Sequence, residues 1–189
     1  AIGRELFDKK GIPELRRQGV FESESRVIEI GCGQGDKLNA IAENMNHGST
    51  VEGIDISPSM LRKGREKYPH LKTTQDDARR LDALEGEYDL ILFLKILQHL
   101  TLTEVIIALT RASGHLSPNG KIVILNRILA EEGLERVFWK WLIDVYAKAS
   151  GFDPNRYHNL DIGELETIFR GLRLRITART KIPLLGDLI

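Results

Sequence analysis

The feature that most constrains this chain is a short strand-like run that empties into glycine. Val27-Ile28-Glu29-Ile30 is followed at once by Gly31-Cys32-Gly33-Gln34-Gly35, and then by Lys37–Met45, whose Leu38, Ile41, Ala42 and Met45 fall on one helical face. Glycine accepts positive φ and lets a backbone approach a ligand closely. A strand, such a turn and a helix in succession form the opening of a βαβ unit. They gather backbone N–H groups and a helix N-terminus at one point.

The rest of the chain repeats the alternation. Thr50–Ile54 reads as a second strand. Ser57-Pro58 reads as the cap and first turn of a helix that stops near Lys67, before Pro69. Leu71–Gln75 reads as a third, weaker strand, and Tyr88–Phe93 as a fourth whose unbroken apolar run suits a central position covered on both faces. Leu102–Gly114 reads as a helix, Pro118-Asn119-Gly120 as a turn and Lys121–Leu125 as a fifth strand. Asp161-Ile162-Gly163-Glu164 has capping-box spacing, so a helix is expected from there to about Arg170. Leu172–Ile182 alternates apolar residues with Arg and Thr, which predicts a long, half-exposed edge strand. Together these segments predict an α/β fold with a largely parallel sheet.

Composition narrows the class. A chain of 189 residues with 42% apolar and 29% charged residues predicts one globular domain, 1–189. Lys+Arg and Asp+Glu both number 27, which argues against a dedicated nucleic-acid binder. Cys32 is the only cysteine, so no internal disulfide and no cysteine metal cluster can form, and a reducing, cytoplasmic compartment is expected. Apolar stretches such as Leu90–Leu94 are too short to span a bilayer. No signal-peptide pattern opens the sequence.

The glycine turn has a partner further on. Asp55 ends the second strand 20 residues after Gly35, where a carboxylate can accept both hydroxyls of a ribose. The glycine spacing is G-x-G-x-G, and position 36, where a dinucleotide fingerprint wants a small residue, is Asp. A carboxylate facing a pyrophosphate is repulsive. S-adenosylmethionine has no phosphate, so Asp36 favours it over NAD. No G-x-x-x-x-G-K-[ST] loop is present to suggest NTP hydrolysis.

Five ordered motifs between about Arg26 and Leu125 resemble those of the class I S-adenosylmethionine-dependent methyltransferases. They are Val27–Gly35, Gly53–Met60, Asp76-Asp77-Ala78, Tyr88–Phe93 with Ile96–Leu100, and Leu116–Lys121. The resemblance implies a Rossmann-like sandwich with about seven strands, mostly parallel, the last antiparallel and expected to be truncated. It implies a cofactor-binding core at 26–125 and a helical lid or substrate insertion at 126–160. It also implies residue roles. Gly31, Cys32 and Gly33 would face the methionine part, with Glu29 reaching its ammonium and the Phe93 carbonyl nearby. Asp55 would hold the ribose and Ile56 the adenine face. Asp77 would accept from the adenine amino group beside the Ala78 N–H, with Asp76 as the off-by-one alternative.

The acceptor side is less defined. His99 follows the fourth strand and is the candidate general base. Gln98, Trp139, Tyr157 and His158 are expected to shape the substrate pocket. Each assignment has a plainer reading: Glu29 as an exposed strand residue, Asp76 and Asp77 as turn acids, His99 as helix-start packing, and the helically spaced Phe138, Trp139, Trp141, Leu142, Val145 and Tyr146 as core or interface packing. Cys32 sits in the cofactor loop and is expected to pack rather than react. Lys95 departs from the apolar or small residue usual in the family. The N-P-P-Y motif of amino-group methylation on adenine or glutamine is absent at Phe93–Ile96. The expected function is methyl transfer from S-adenosylmethionine to a small-molecule or lipid-like acceptor, leaving S-adenosylhomocysteine. The alternatives are a non-catalytic S-adenosylmethionine-binding or scaffold protein and, less favoured, a nicotinamide-dependent oxidoreductase. The sequence does not define the oligomeric state.

Overall fold

A computed structural model describes residues 2–23, 25–126, 161–182 and 186–189. Helix α1 (Ile2–Leu6), a π-helical turn (Phe7–Gly11) and α2 (Ile12–Arg17) precede the first strand. Then β1 (Arg26–Ile30), α3 (Asp36–Ala42), β2 (Thr50–Asp55), α4 (Pro58–Lys67), β3 (Lys72–Gln75) and β4 (Tyr88–Leu94) alternate. A single 3-10 turn (Leu97–His99), α5 (Leu102–Ser113) and β5 (Leu116–Asn126) follow, and then α6 (Ile162–Gly171), β6 (Thr180–Ile182) and β7 (Gly186–Leu188). The sheet runs β3-β2-β1-β4-β5-β7-β6. β3, β2, β1, β4 and β5 pair in parallel, while β7 is antiparallel to both β5 and β6. The expected α/β class, the parallel core and the short antiparallel last strand are all present.

The strand patterns explain the layering. In β4, Ile91 and Phe93 join one apolar core with Ile28 and Ile30 of β1, Val105 and Leu109 of α5, and Leu165 and Phe169 of α6. Leu90, Leu92 and Leu94 point the other way, into a second core with Val27 of β1, Ala40 and Ile41 of α3, and Phe7, Leu15 and Phe21. A strand buried on both faces must be apolar, as β4 is from Leu90 to Leu94. Truncating a core residue such as Leu92 to Ala costs about 2–5 kcal/mol in a site of this kind. The segment before β1 carries no motif, yet its Phe7, Ile12, Leu15, Val20 and Phe21 join the second core. Arg4 also ties it to α3, its Nη1 donating to the Asp36 carbonyl at 2.7 Å.

The helix starts follow their caps. The Ser57 hydroxyl accepts from the Met60 N–H at 3.4 Å, and Pro58 opens α4. Asp161 and Glu164 form the expected reciprocal box at the head of α6, at 2.8 and 3.0 Å. Two expectations are corrected. The strand anticipated over 172–182 pairs only at Thr180–Ile182. Its period-2 burial is present along the whole segment, but β7 offers three residues to pair with, and the ladder uses all of them. β5 begins at Leu116 rather than Lys121, and the Pro118-Asn119-Gly120 stretch is a bulge within it. β5 advances from Leu116 to Lys121 while β4 advances from Tyr88 to Leu90. Among the described residues no helix is long and apolar enough to cross a membrane.

Candidate functional site

The strand order reverses direction at β1, with β2 on one side and β4 on the other. In an open α/β sheet the crevice outside the carboxyl ends of such strands is where ligands bind. Two adjoining cavities lie there. One, of about 640 Å³, is lined by Asp55, Ile56, Asp77, Ala78, Leu100 and Glu104 among others. The second, of about 360 Å³, is lined by Cys32, Gly33, Lys37, Leu94, Lys95 and Gln98 among others. Gly31, Asp55, Ile96 and His99 border both, so the two form one groove of a size suited to a small ligand.

The glycine loop is clamped to β2. The Gly31 and Cys32 N–H groups both donate to the Ile54 carbonyl, at 2.8 and 2.9 Å. Gly31 has φ +77°, and a Cβ built there would stand 2.7 Å from the Ile96 side chain. Both facts demand glycine at this position. Asp55 is the polar centre of the groove. Its Oδ2 accepts from the Gly33 N–H at 2.7 Å, and its Oδ1 from the Ser57 N–H at 2.8 Å. Each oxygen retains a further lone pair, so the carboxylate is oriented and still able to accept two hydroxyls. Next to it Ile56 is 57% exposed, an apolar side chain presented to the groove.

The two acids after β3 have different environments. Asp76 Oδ1 accepts from the Asp77 N–H at 2.7 Å, and Oδ2 from the Ala83 N–H at 2.8 Å. Its carboxylate is occupied in holding its own loop. Asp77 instead meets Arg79, whose hydrogen bonds are the main cause of a pKa below the usual carboxylate range. Asp77 therefore stays ionised beside Ile56 and Ala78.

Glu29 lies two residues before Gly31 on β1. It is fully buried, and neither carboxylate oxygen has a hydrogen-bond partner among the described residues. The exposed-strand reading of Glu29 is thereby overturned. Burial pushes its pKa up to about 7; Lys37 opposes the shift, while Asp55 and Asp36 add to it. An orphaned buried acid is costly, and it is the kind of group a bound cation relieves. The Cys32 thiol is buried too, and burial, with Glu29 and Asp55 nearby, pushes its pKa above the ordinary thiol value. That makes it inert as a nucleophile. Asp36 accepts from Lys67 Nζ at 2.5 Å and the Tyr68 hydroxyl at 2.8 Å. These partners soften the repulsion that a pyrophosphate would meet there.

His99 ends the 3-10 turn and borders both cavities. Burial lowers its pKa below the ordinary 6.5. Gln98 stands beside it, with Nε2 3.5 Å from His99 Nε2. Phe93 lies in the core; the chain reaches the groove one residue later, at Leu94 and Lys95. Trp139, Tyr157 and His158 lie outside the described residues. Three groove residues carry no role in the sequence reading: Arg79, Thr101 and Glu104. Thr101 and Glu104 form a capping box at the head of α5, and the T-x-x-E spacing was the signal for it. Lys95 has φ +74° in the left-handed region, a backbone state that non-glycine residues hold only where the surroundings impose it. Among the described residues no cluster of His, Cys, Asp and Glu is arranged to hold a metal ion.

Sheet order, switch-point groove and strand-end acid define a class I methyltransferase architecture. Residues 27–120 match a family model described as a methyltransferase domain, and over that span the chain is a methyltransferase domain of the class I S-adenosylmethionine-dependent kind. It is 32% identical to a trans-aconitate 2-methyltransferase of Paracidovorax citrulli over 46% of this chain and 34% of that protein. An S-adenosylmethionine-bound amino pentose methyltransferase from Micromonospora echinaspora superposes with a TM-score of 0.58 at 26% identity, covering 68% of this chain and 54% of that one. A magnesium protoporphyrin IX methyltransferase from Synechocystis shares the fold over 99% of this chain and 81% of that one, with a TM-score of 0.69 at 16% identity. The chain thus spans about a third of the first relative's length and about half of the second's.

Proposed function

We propose that this chain binds S-adenosylmethionine in the paired cavities and takes part in transferring its methyl group to a small-molecule acceptor, with S-adenosylhomocysteine as product. The observation that carries this reading is Asp55, a carboxylate oriented by two backbone N–H groups at the switch point of the sheet. Exposed Ile56 and ionised Asp77 line one cavity with it, and the glycine loop, which begins two residues after orphaned Glu29, lines the other. Asp55 fits a ribose diol, Ile56 an adenine face, Asp77 an exocyclic amino group and Glu29 an ammonium. Bound S-adenosylmethionine supplies a methyl group already activated on its sulfonium. The chain's part is to position the two partners and exclude water.

His99 acts in this reading as the base. With its pKa below 6.5 it is neutral at pH 7 and able to take a proton from an O–H or N–H acceptor. Gln98 and Lys95 shape the acceptor side; the lid expected over 126–160 lies, from 127 on, outside the described residues. The names of the relatives, a trans-aconitate and an amino pentose methyltransferase, support a small polar acceptor. A reducing, cytoplasmic setting suits the single free thiol.

Calorimetry with S-adenosylmethionine, S-adenosylhomocysteine and NAD tests the reading. Both sulfur ligands are expected to bind and NAD to give no heat. Binding of NAD alone would sink it. Binding of the sulfur ligands without methyl transfer to any member of a broad acceptor panel would favour a non-catalytic binding protein.

A further inference from the structure

Arg79 bridges two parts of the groove. Its backbone N–H and its Nε both donate to Asp77 Oδ1 at 2.9 Å, Nε also reaches Oδ2 at 3.0 Å, and Nη2 completes the pair. At its other end Nη1 donates to Glu104 Oε1 at 2.7 Å. Glu104 Oε2 accepts from the Thr101 N–H at 2.9 Å, closing the cap of α5 two residues after His99. Arg79, Asp77, Thr101 and Glu104 all line the larger cavity.

The fold has little need of this bridge. The Arg79 side chain is 43% exposed, and a surface ion pair of that kind contributes about 0–1 kcal/mol to stability. The loop is already fixed by Asp76 through the Asp77 and Ala83 N–H groups. Arg80, the other nearby cation, pairs with Asp82 instead. What Arg79 does is orient the Asp77 carboxylate. Its Nε is shared between the two oxygens, so one contact can be yielded to a ligand while Nη2 and the backbone N–H hold the group in place.

We propose that Arg79 is a specificity-determining positioning residue: spanning Asp77 and Glu104, it holds the Asp77 carboxylate as a fixed acceptor for a purine 6-amino group, so that the groove takes adenine and rejects 6-oxopurines. The inference rests on the donor reading above. An ionised, fixed acceptor gains a hydrogen bond from an amino group and faces lone pairs in an oxo group. A carboxylate free to rotate loses that contrast. The lowered pKa of Asp77, caused chiefly by Arg79, supports the same assignment.

The test compares S-adenosylhomocysteine with S-inosylhomocysteine by calorimetry on the full chain, for wild type, Arg79→Ala, Arg79→Lys and Glu104→Gln. Wild type is expected to prefer the adenosyl ligand by at least about tenfold, and Arg79→Ala to cut that preference about fivefold. Arg79→Lys and Glu104→Gln, which each keep part of the bridge, fall between. If Arg79→Ala weakens both ligands equally and leaves the preference unchanged, Arg79 merely supports the loop and the inference is overturned. Should Arg79→Ala fail to fold by circular dichroism, an unchanged preference in both Arg79→Lys and Glu104→Gln overturns it instead. If wild type binds neither ligand, the donor reading itself fails and the role of Arg79 falls with it.

Discussion

At the end of the groove proposed for the methyl donor, Asp55 is held by two backbone N–H groups, the glycine loop is clamped to β2, and Asp76 secures the loop that presents Asp77. At the end proposed for the acceptor, Gln98 and His99 stand on one 3-10 turn, beside a lysine in left-handed backbone. That end is thus built at strand ends, from carboxylates that main-chain N–H groups hold in place. The acceptor end is made of side chains on a short turn, which can change without disturbing the sheet. A common donor with a variable acceptor needs this division.

The sharpest way to break the comparison is Asp55→Ala. Two charge-assisted hydrogen bonds of about 1.5–3 kcal/mol each are lost, so affinity for S-adenosylhomocysteine should fall about 1000-fold by calorimetry. An effect under tenfold would remove Asp55 from the ribose. Next, Gly31→Ala combines the cost of left-handed backbone with a Cβ pressed on Ile96, and should cost about 3 kcal/mol in denaturant unfolding. A stable Gly31→Ala protein would mean that the loop is not clamped as described.

His99→Ala probes the other end. It should lower the methyl-transfer rate about 100-fold with the donor affinity unchanged. The wild-type rate should fall on the acid side only below pH 6.5, because burial holds the imidazole neutral down to there. Equal losses in rate and donor affinity would assign His99 to packing.

The smallest effect belongs to Glu29. Its pKa is raised from 4.5 to about 7, so the folded chain binds this proton more tightly than the unfolded chain does. The stability this provides is complete below pH 4.5 and is lost as pH rises through 7. Between pH 6 and 8 the ligand-free protein should lose about 1.4 kcal/mol that Glu29→Gln does not lose. Identical pH profiles for the two proteins would show that Glu29 is ionised throughout.

Much of the donor end was legible in advance because it depends on local chemistry. The glycine spacing, the acid at the end of β2 and the Asp76-Asp77-Ala78 turn all lie in the groove. The different environments of Asp76 and Asp77 were not legible. They turn on which carboxylate receives the Ala83 N–H, a contact seven residues away. The Arg79–Glu104 pair was missed because its members are 25 residues apart, and only the packing of α5 against the sheet brings them together. The cover provided by the segment before β1 was missed as well, since only the tertiary contacts of Phe7, Leu15 and Phe21 bring it against the sheet.

By itself, the sequence determined the alternation of strands and helices, their caps and the glycine turn, because these depend on residues a few positions apart. Only the tertiary structure decided the ladder partners of each strand, and with them the three-residue pairing of 180–182 with β7. It also decided the burial of Glu29, the occupation of Asp76 and the grip of Arg79 on Asp77. The physical reason is the same throughout: desolvation, ion pairing and ladder formation are set by groups distant in the chain, and they acquire values only once the sheet has brought those groups together.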